Sequence, residues 1–206
     1  MMKSVVSCVA ATCLLCVPAM AQMPTNTLWY AGSPTGTHWG NATTGQAPIT
    51  HFVPFVVSDA AGWRVDGLFT VGEVFNGSSA AWSLRSGMSS GNGGTVLSSG
   101  VSVPSVGAVD GATGVIVDIP DIDLAPGTYW LEVTPASGSI FGSNGSNAIG
   151  TPAGVPSLRN WPFFSQSYAP YSDAILSGGV IGSVLPTPGA ASLLCAGGLI
   201  AFRRRR

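Results

Sequence analysis

The sequence predicts an all-β fold, a single antiparallel β-sandwich or jelly-roll-like domain, and three observations carry that expectation. The middle of the chain shows no sustained apolar repeat at helical spacing. Its apolar residues fall in short runs, several alternating with polar ones, as strands buried on one face require. Turn-forming residues separate the runs, with 28 Gly and 15 Pro among 206 residues. Many short strands without helical partners favour sheet packed on sheet.

The first segment is not part of that domain. Met1-Met2-Lys3 is a short basic start, Val5 to Val17 is mostly apolar, and Ala19-Met20-Ala21 is a small-x-small pattern before Gln22. This reads as a secretory signal peptide, residues 1–21, cleaved after Ala21. Leu15 precedes Cys16 where a lipoprotein signal would place a small residue, so no lipid is expected on Cys16. Cys8, Cys13 and Cys16 lie in this segment and Cys195 near the other end. The domain between them, residues 22–185, must therefore hold together without disulfides.

The strands follow in order. Ile49 to Val57 is one apolar run, and Trp63 to Val74 a second. In the second, Trp63, Val65, Gly67, Phe69 and Val71 are expected on one face, Arg64, Asp66 and Thr70 on the other, with Leu68 breaking the pattern. Trp82 to Arg85, Thr95 to Ser98, Val101 to Val103, Gly114 to Ile119 and Thr128 to Thr134 complete the set. The turn material at 89–94 precedes one of these runs, and Ala125-Pro126-Gly127 another. In the last run Tyr129, Leu131 and Val133 are expected in the core, with Trp130 and Glu132 facing outward. The stretch from Ser137 to Pro162 reads as loop.

The end of the chain changes character. Pro186-Thr187-Pro188 is followed by Gly189 to Phe202, fourteen residues apolar except for Ser192, and then by Arg203, Arg204, Arg205 and Arg206. A comfortable membrane-spanning helix needs about 20 residues, so this one is short. The arginines would hold it with its C-terminus on the cytoplasmic side. The pattern alone also fits a core helix whose basic end suits the helix dipole.

A proline pair, an apolar segment and an arginine cluster, in that order at 186–206, resemble the PEP-CTERM sorting signal recognised by exosortases in Gram-negative bacteria. Thr187 stands where the family motif has glutamate, and the Pro-Thr-Pro-Gly form is similar to variants in planctomycete-like bacteria. The resemblance implies a membrane-sorting helix at 189–202, transient inner-membrane anchoring, processing near Pro186-Thr187-Pro188 by an exosortase-type enzyme, and delivery to the cell surface or extracellular matrix. More loosely, Trp82-Ser83-Leu84-Arg85, the 93–100 segment and Leu124 to Leu131 resemble extracellular β-domains found upstream of such tails.

Charge narrows the function. Between the two ends only Arg64, Arg85 and Arg159 are basic, against all nine acidic residues, and there is no lysine. Nucleic acid needs clustered cations, so it is set aside as a partner. His38 and His51 have no neighbour at metal-ligand spacing, and a Gly-x-Ser-x-Gly elbow is absent. Glu73 and Glu132 are the only glutamates. They would have to converge in a cleft to act as a glycoside hydrolase pair. Asp118, Asp121 and Asp123 form the densest acid cluster and are the calcium candidates, although the EF-hand glycine and closing glutamate are missing. No other metal and no cofactor is expected.

The six tryptophans all lie in the domain. An exposed indole offers an apolar face for stacking on a sugar ring, whereas a buried one needs a partner for its N–H. Trp130, expected to face outward, and Trp161 and Tyr168, expected in a loop, are the candidates for glycan binding. The resulting expectation is an exported structural or adhesive surface protein without catalysis. The alternative is a carbohydrate-binding module for extracellular polysaccharide, assisted by calcium, and the remote one is a glycoside hydrolase.

Overall fold

The structure, a computed structural model, describes residues 22–41, 49–73, 77–135, 141–161, 166–171 and 175–187. The signal segment 1–21 with Ala19 and Ala21, and the tail from Pro188 through 189–202 to Arg203, Arg204, Arg205 and Arg206, lie outside the described residues.

The described residues form strands and turns, with no helix. In chain order the strands are β1 (Thr27–Tyr30), β2 (Pro34–Asn41), β3 (Thr50–Val57), β4 (Trp63–Gly72), β5 (Ala80–Ser86), β6 (Thr95–Ser102) and β7 (Ser105–Val109). They continue as β8 (Ala112–Leu124), β9 (Gly127–Pro135), β10 (Phe141–Ser146), β11 (Ser157–Trp161), β12 (Gln166–Tyr171) and β13 (Gly178–Val184). All pairings between them are antiparallel. The first sheet runs β1-β13-β4-β10-β2, with β8 also on β4 and β7 on β8; the second runs β12-β11-β3-β9-β5-β6.

The two sheets share one core, a sandwich-like arrangement. From the second sheet come Val53, Phe55 and Val57, Trp82 and Leu84, and Leu131 and Val133; from the first come Trp63, Val65, Leu68, Val115, Val117, Ile119 and Val180. Phe55 is fully buried at its centre. Its ring lies 5.7 Å from Trp29, 6.3 Å from Trp63 and 5.8 Å from Tyr129. The indole N–H groups are satisfied as burial demands. Trp29 donates to Gly150 O, Trp63 to Asp59 Oδ2 and Trp82 to Ser102 Oγ.

Strict alternation along β4 does not hold. Trp63 and Val65 face the shared core, but so does Leu68, while Phe69 and Val71 pack on the opposite side with Val109, Tyr30, Ile181 and Met23. The reason is a β-bulge at Asp66. Val65 pairs with Gly182 and Gly67 with Ile181, which leaves Asp66 as an extra residue against β13. On the other flank, Ile119-Pro120-Asp121 fill the gap between Asp118, opposite Gly67, and Ile122, opposite Val65. One extra residue inverts the faces of everything after it. Leu68 is thus the first member of a shifted inner set, not an exception.

Other expectations also shift. The runs at Thr95 and Val101 are one strand, β6. The Asp118 to Asp123 stretch, reaching beyond the expected Gly114 to Ile119 run, continues the 13-residue β8. The segment expected as loop contains β10 and β11. By contrast, Tyr129, Leu131 and Val133 do enter the shared core.

All thirteen strands and every core residue named lie within residues 22–187. Phe55→Ala removes the ring around which three other aromatics pack. It is expected to cost about 3–5 kcal/mol in urea unfolding of this segment. A loss below 1 kcal/mol would mean that Phe55 is not the centre of the core.

Candidate functional site

The side chains with most chemical potential meet on the outer face of the second sheet, directed away from the shared core. Antiparallel register sets this: Trp130 sits opposite Arg85 and Glu132 opposite Ser83, with Pro54 beside Trp130 on β3. Because Leu131 and Val133 are buried inward, Trp130, Glu132 and Thr134 take the other face.

That face is covered at one end by a second small core. Phe52, Met88, Trp130 and Leu158 pack together, with Val155 and Tyr168 against them. The cover comes from the β5–β6 loop folding back. Ser89 and Asn92 exchange main-chain hydrogen bonds, and Gly94 turns the chain at φ 63° with Ser86 O too close for any Cβ. Gly91 N then donates to Tyr168 O, and Gly93 lies against the Tyr168 ring.

Arg85 is the polar centre of this packing. Its guanidinium stands 5.0 Å from the Phe52 ring and 5.8 Å from the Tyr168 ring, within cation–π range. Its Nη1 donates to Gly93 O at 3.0 Å and its Nε to Ser83 Oγ at 3.3 Å. Ser83 Oγ in turn donates to Glu132 Oε2, and Thr134 Oγ1 donates to Glu132 Oε1 at 3.3 Å. Burial pushes the Glu132 carboxyl above its ordinary value, with Ser83, the Arg85 charge and Thr134 pulling against it. Both carboxylate oxygens are thus engaged by hydroxyls of the same sheet, so the network ties β5 to β9 and both to the loop.

No protein-family model, curated protein or solved structure matches the chain.

The glycan candidates are distributed by this geometry. Trp130 points away from the shared core as the sequence indicates, yet it is only 6% exposed and its Nε1 donates to Pro156 O. It therefore offers no free indole face. Tyr168 belongs to β12, not to a loop, and its ring packs 5.7 Å from Phe52. Trp161 closes β11, also not a loop; it is half-buried, with the Arg159 guanidinium 6.0 Å from its ring. The structure brings Trp130 and Tyr168 into one cluster and leaves Trp161 outside it.

The acidic candidates separate as well. Glu73 follows β4 in the first sheet, whereas Glu132 projects from the far face of the second. Asp118, Asp121 and Asp123 are exposed along β8, and Asp123 accepts both Nε and Nη2 of Arg64, at 2.7 and 2.9 Å. The Arg64 hydrogen bonds hold the Asp123 carboxyl below its usual range. Among the described residues no group of three or more His, Cys, Asp or Glu side chains is placed to hold a metal ion.

Arg85, Ser83 and Met88 were not singled out by the sequence. The signal was there for one of them: Arg85 is one of only three basic residues in the domain, and it lies in a strand instead of a loop.

His51 faces inward from β3 and lines a cavity of ≈ 10 Å³ with Thr70, Val133 and Leu131, about the size of one water. Burial, then the nearby Arg159 charge, lowers its pKa to about 4. The folded state thus keeps His51 neutral while the unfolded chain protonates it below its ordinary value of 6.5. Stability from this group is complete above pH 6.5 and is lost progressively as pH falls through 4. Glu132 acts in the opposite sense, its contribution being lost as pH rises through its elevated pKa. Comparing wild type with His51→Gln cancels the Glu132 effect. Between pH 7 and pH 4 wild type is expected to lose about 3 kcal/mol more than the variant in urea unfolding. Parallel pH profiles would contradict the assignment.

Proposed function

We propose that this chain is an exported cell-surface or extracellular-matrix protein with a structural and adhesive role and no catalysis. In this reading one sandwich domain is set between a signal peptide and a membrane-sorting helix, and an exosortase-type enzyme releases it from the inner membrane near Pro186-Thr187-Pro188. The observation that carries it is the exit from β13. Leu185 N donates to Gly62 O, the last main-chain tie among the described residues, and Pro186 and Thr187 directly beyond it are exposed. A processing enzyme needs its target peptide extended and clear of the domain, and this is the condition those two residues meet.

A second observation supports membrane tethering. Thr27 of β1 pairs with Ile181 of β13, so the chain enters and leaves the first sheet at the same end. A tail anchor would then hold the domain by that end and present the rest outward. The polysaccharide-binding alternative rests on Trp161, now that Trp130 and Tyr168 are committed to packing.

Expression of the full chain, with an epitope inside the domain, in a host that carries an exosortase provides the test. Wild type is expected first as a membrane-bound precursor and then as a shorter form at the surface or in the medium. Replacing Arg203, Arg204, Arg205 and Arg206 with alanine is expected to abolish retention and shortening. Identical fractionation of the two proteins, with no shortening, would overturn the sorting reading.

A further inference from the structure

The exposed apolar side chains of this domain are concentrated on one rim. Of seven large apolar residues exposed among the described residues, five lie between 96 and 106: Val96, Leu97, Val101, Val103 and Val106. Val101 is 71% exposed and Val103 83%. The topology explains the concentration. β6 is the last strand of the second sheet, β7 pairs with β8 alone in the first, and only Val103-Pro104 separates them. One continuous segment therefore forms the edge of both sheets on the same side. Ser102 Oγ, donating to Asp118 O, ties that segment across the gap between them.

Edge strands present unpaired main-chain donors and acceptors, and proteins normally blunt them with charge, proline, bulges or short length. Two of the other edges carry such devices: β1 has four residues, and β12 contains Pro170 and a Tyr168 at φ 50°. β6 is eight residues long with no proline; its one irregularity, a bulge at Leu97, lies near its start, and from Ser98 to Ser102 its pairing with β5 is regular. Between Arg85 and Asp110 the sequence has no charged residue at all.

We propose that β6 is a self-association edge, on which a second copy of this chain adds its own β6 antiparallel about a two-fold axis and extends the second sheet through both molecules. Neutrality selects this occupant. The domain carries nine acids against three arginines, none of them in this segment, so a charged partner gains no ion pair here. An identical neutral strand meets no like-charge repulsion. The register is self-complementary. A two-fold axis perpendicular to the sheet requires opposed residues to share a face, and centring it on Ser99, within the regular stretch, places Ser98 of each copy opposite Gly100 of the other. The inference does not depend on how the chain is sorted.

Residues 22–187 contain no cysteine, which makes the register directly readable. Sedimentation of this segment should show a concentration-dependent dimer. Ser99→Lys, an exposed position, should weaken dimerisation about tenfold or more while leaving the unfolding midpoint, read at dilutions where both proteins are monomeric, unchanged. Ser99→Cys should form a disulfide-linked dimer under mild oxidation, because directly opposed Cα atoms lie about 4.5–5.5 Å apart. Ser90→Cys, exposed on the β5–β6 loop, serves as the collisional control. A wild type that stays monomeric at millimolar concentration would overturn the proposal. So would a dimer indifferent to Ser99→Lys, or crosslinking of Ser99→Cys no faster than the control.

Discussion

The bulge at Asp66 is the constraint on which the rest of this architecture depends. β4 lies between β13 and β8, and its extra residue gives it two apolar faces in succession. The inner face, with Val65 and Leu68, requires the second sheet as its cover. The outer face, with Phe69 and Val71, requires another, which Tyr30, Val109 and Ile181 provide. That outer packing is tight. A Cβ on Gly179 would stand 2.3 Å from the Phe69 ring, so β13 must be glycine-rich to pass there. Burial of the Tyr30 ring in the same layer pushes its hydroxyl up to about 12, and it donates to Asp110 instead of ionising.

The second sheet repeats the pattern of two covered faces by different means. Phe55 and Leu131 point into the shared core, while Phe52 and Trp130 lie under a loop and β12. Arg85 joins the polar and apolar parts of that cover, since its guanidinium contacts two rings and its N–H groups reach the Ser83–Glu132 network. The residues that would ordinarily build a binding site are thereby spent on holding strands together. Exposed among the described residues are a neutral strand edge and the Pro186-Thr187 exit. Both suit the placement and association proposed above.

Much of the fold was legible where local pattern and environment agree. Tyr129, Leu131 and Val133 alternate with polar neighbours and occupy the core, the 89–94 turn material does reverse the chain between β5 and β6, and Ala125-Pro126 carries it from the first sheet to the second. β11 and β13 were not legible, because Ser157-Leu158-Arg159-Asn160-Trp161 has no alternation and Gly178-Gly179-Val180 resembles a turn. Their strand character comes from partners far away in sequence: Phe52 beside Leu158, and Phe69 beside Gly179. The outward direction of Trp130 followed from parity, but its burial did not. That burial depends on Met88, Leu158 and Tyr168, residues whose proximity arises only when the loop and β12 close over the sheet.

The faces of β4 provide the most direct test of this account. Deleting Asp66 restores simple alternation, which would turn Leu68 outward and drive Phe69 toward the shared core. Urea unfolding of residues 22–187 lacking Asp66, followed by tryptophan fluorescence, is the measurement. The account predicts loss of the cooperative transition, because neither face of β4 would then fit its cover. A cooperative transition with an unchanged midpoint would show that the bulge does not set the fold.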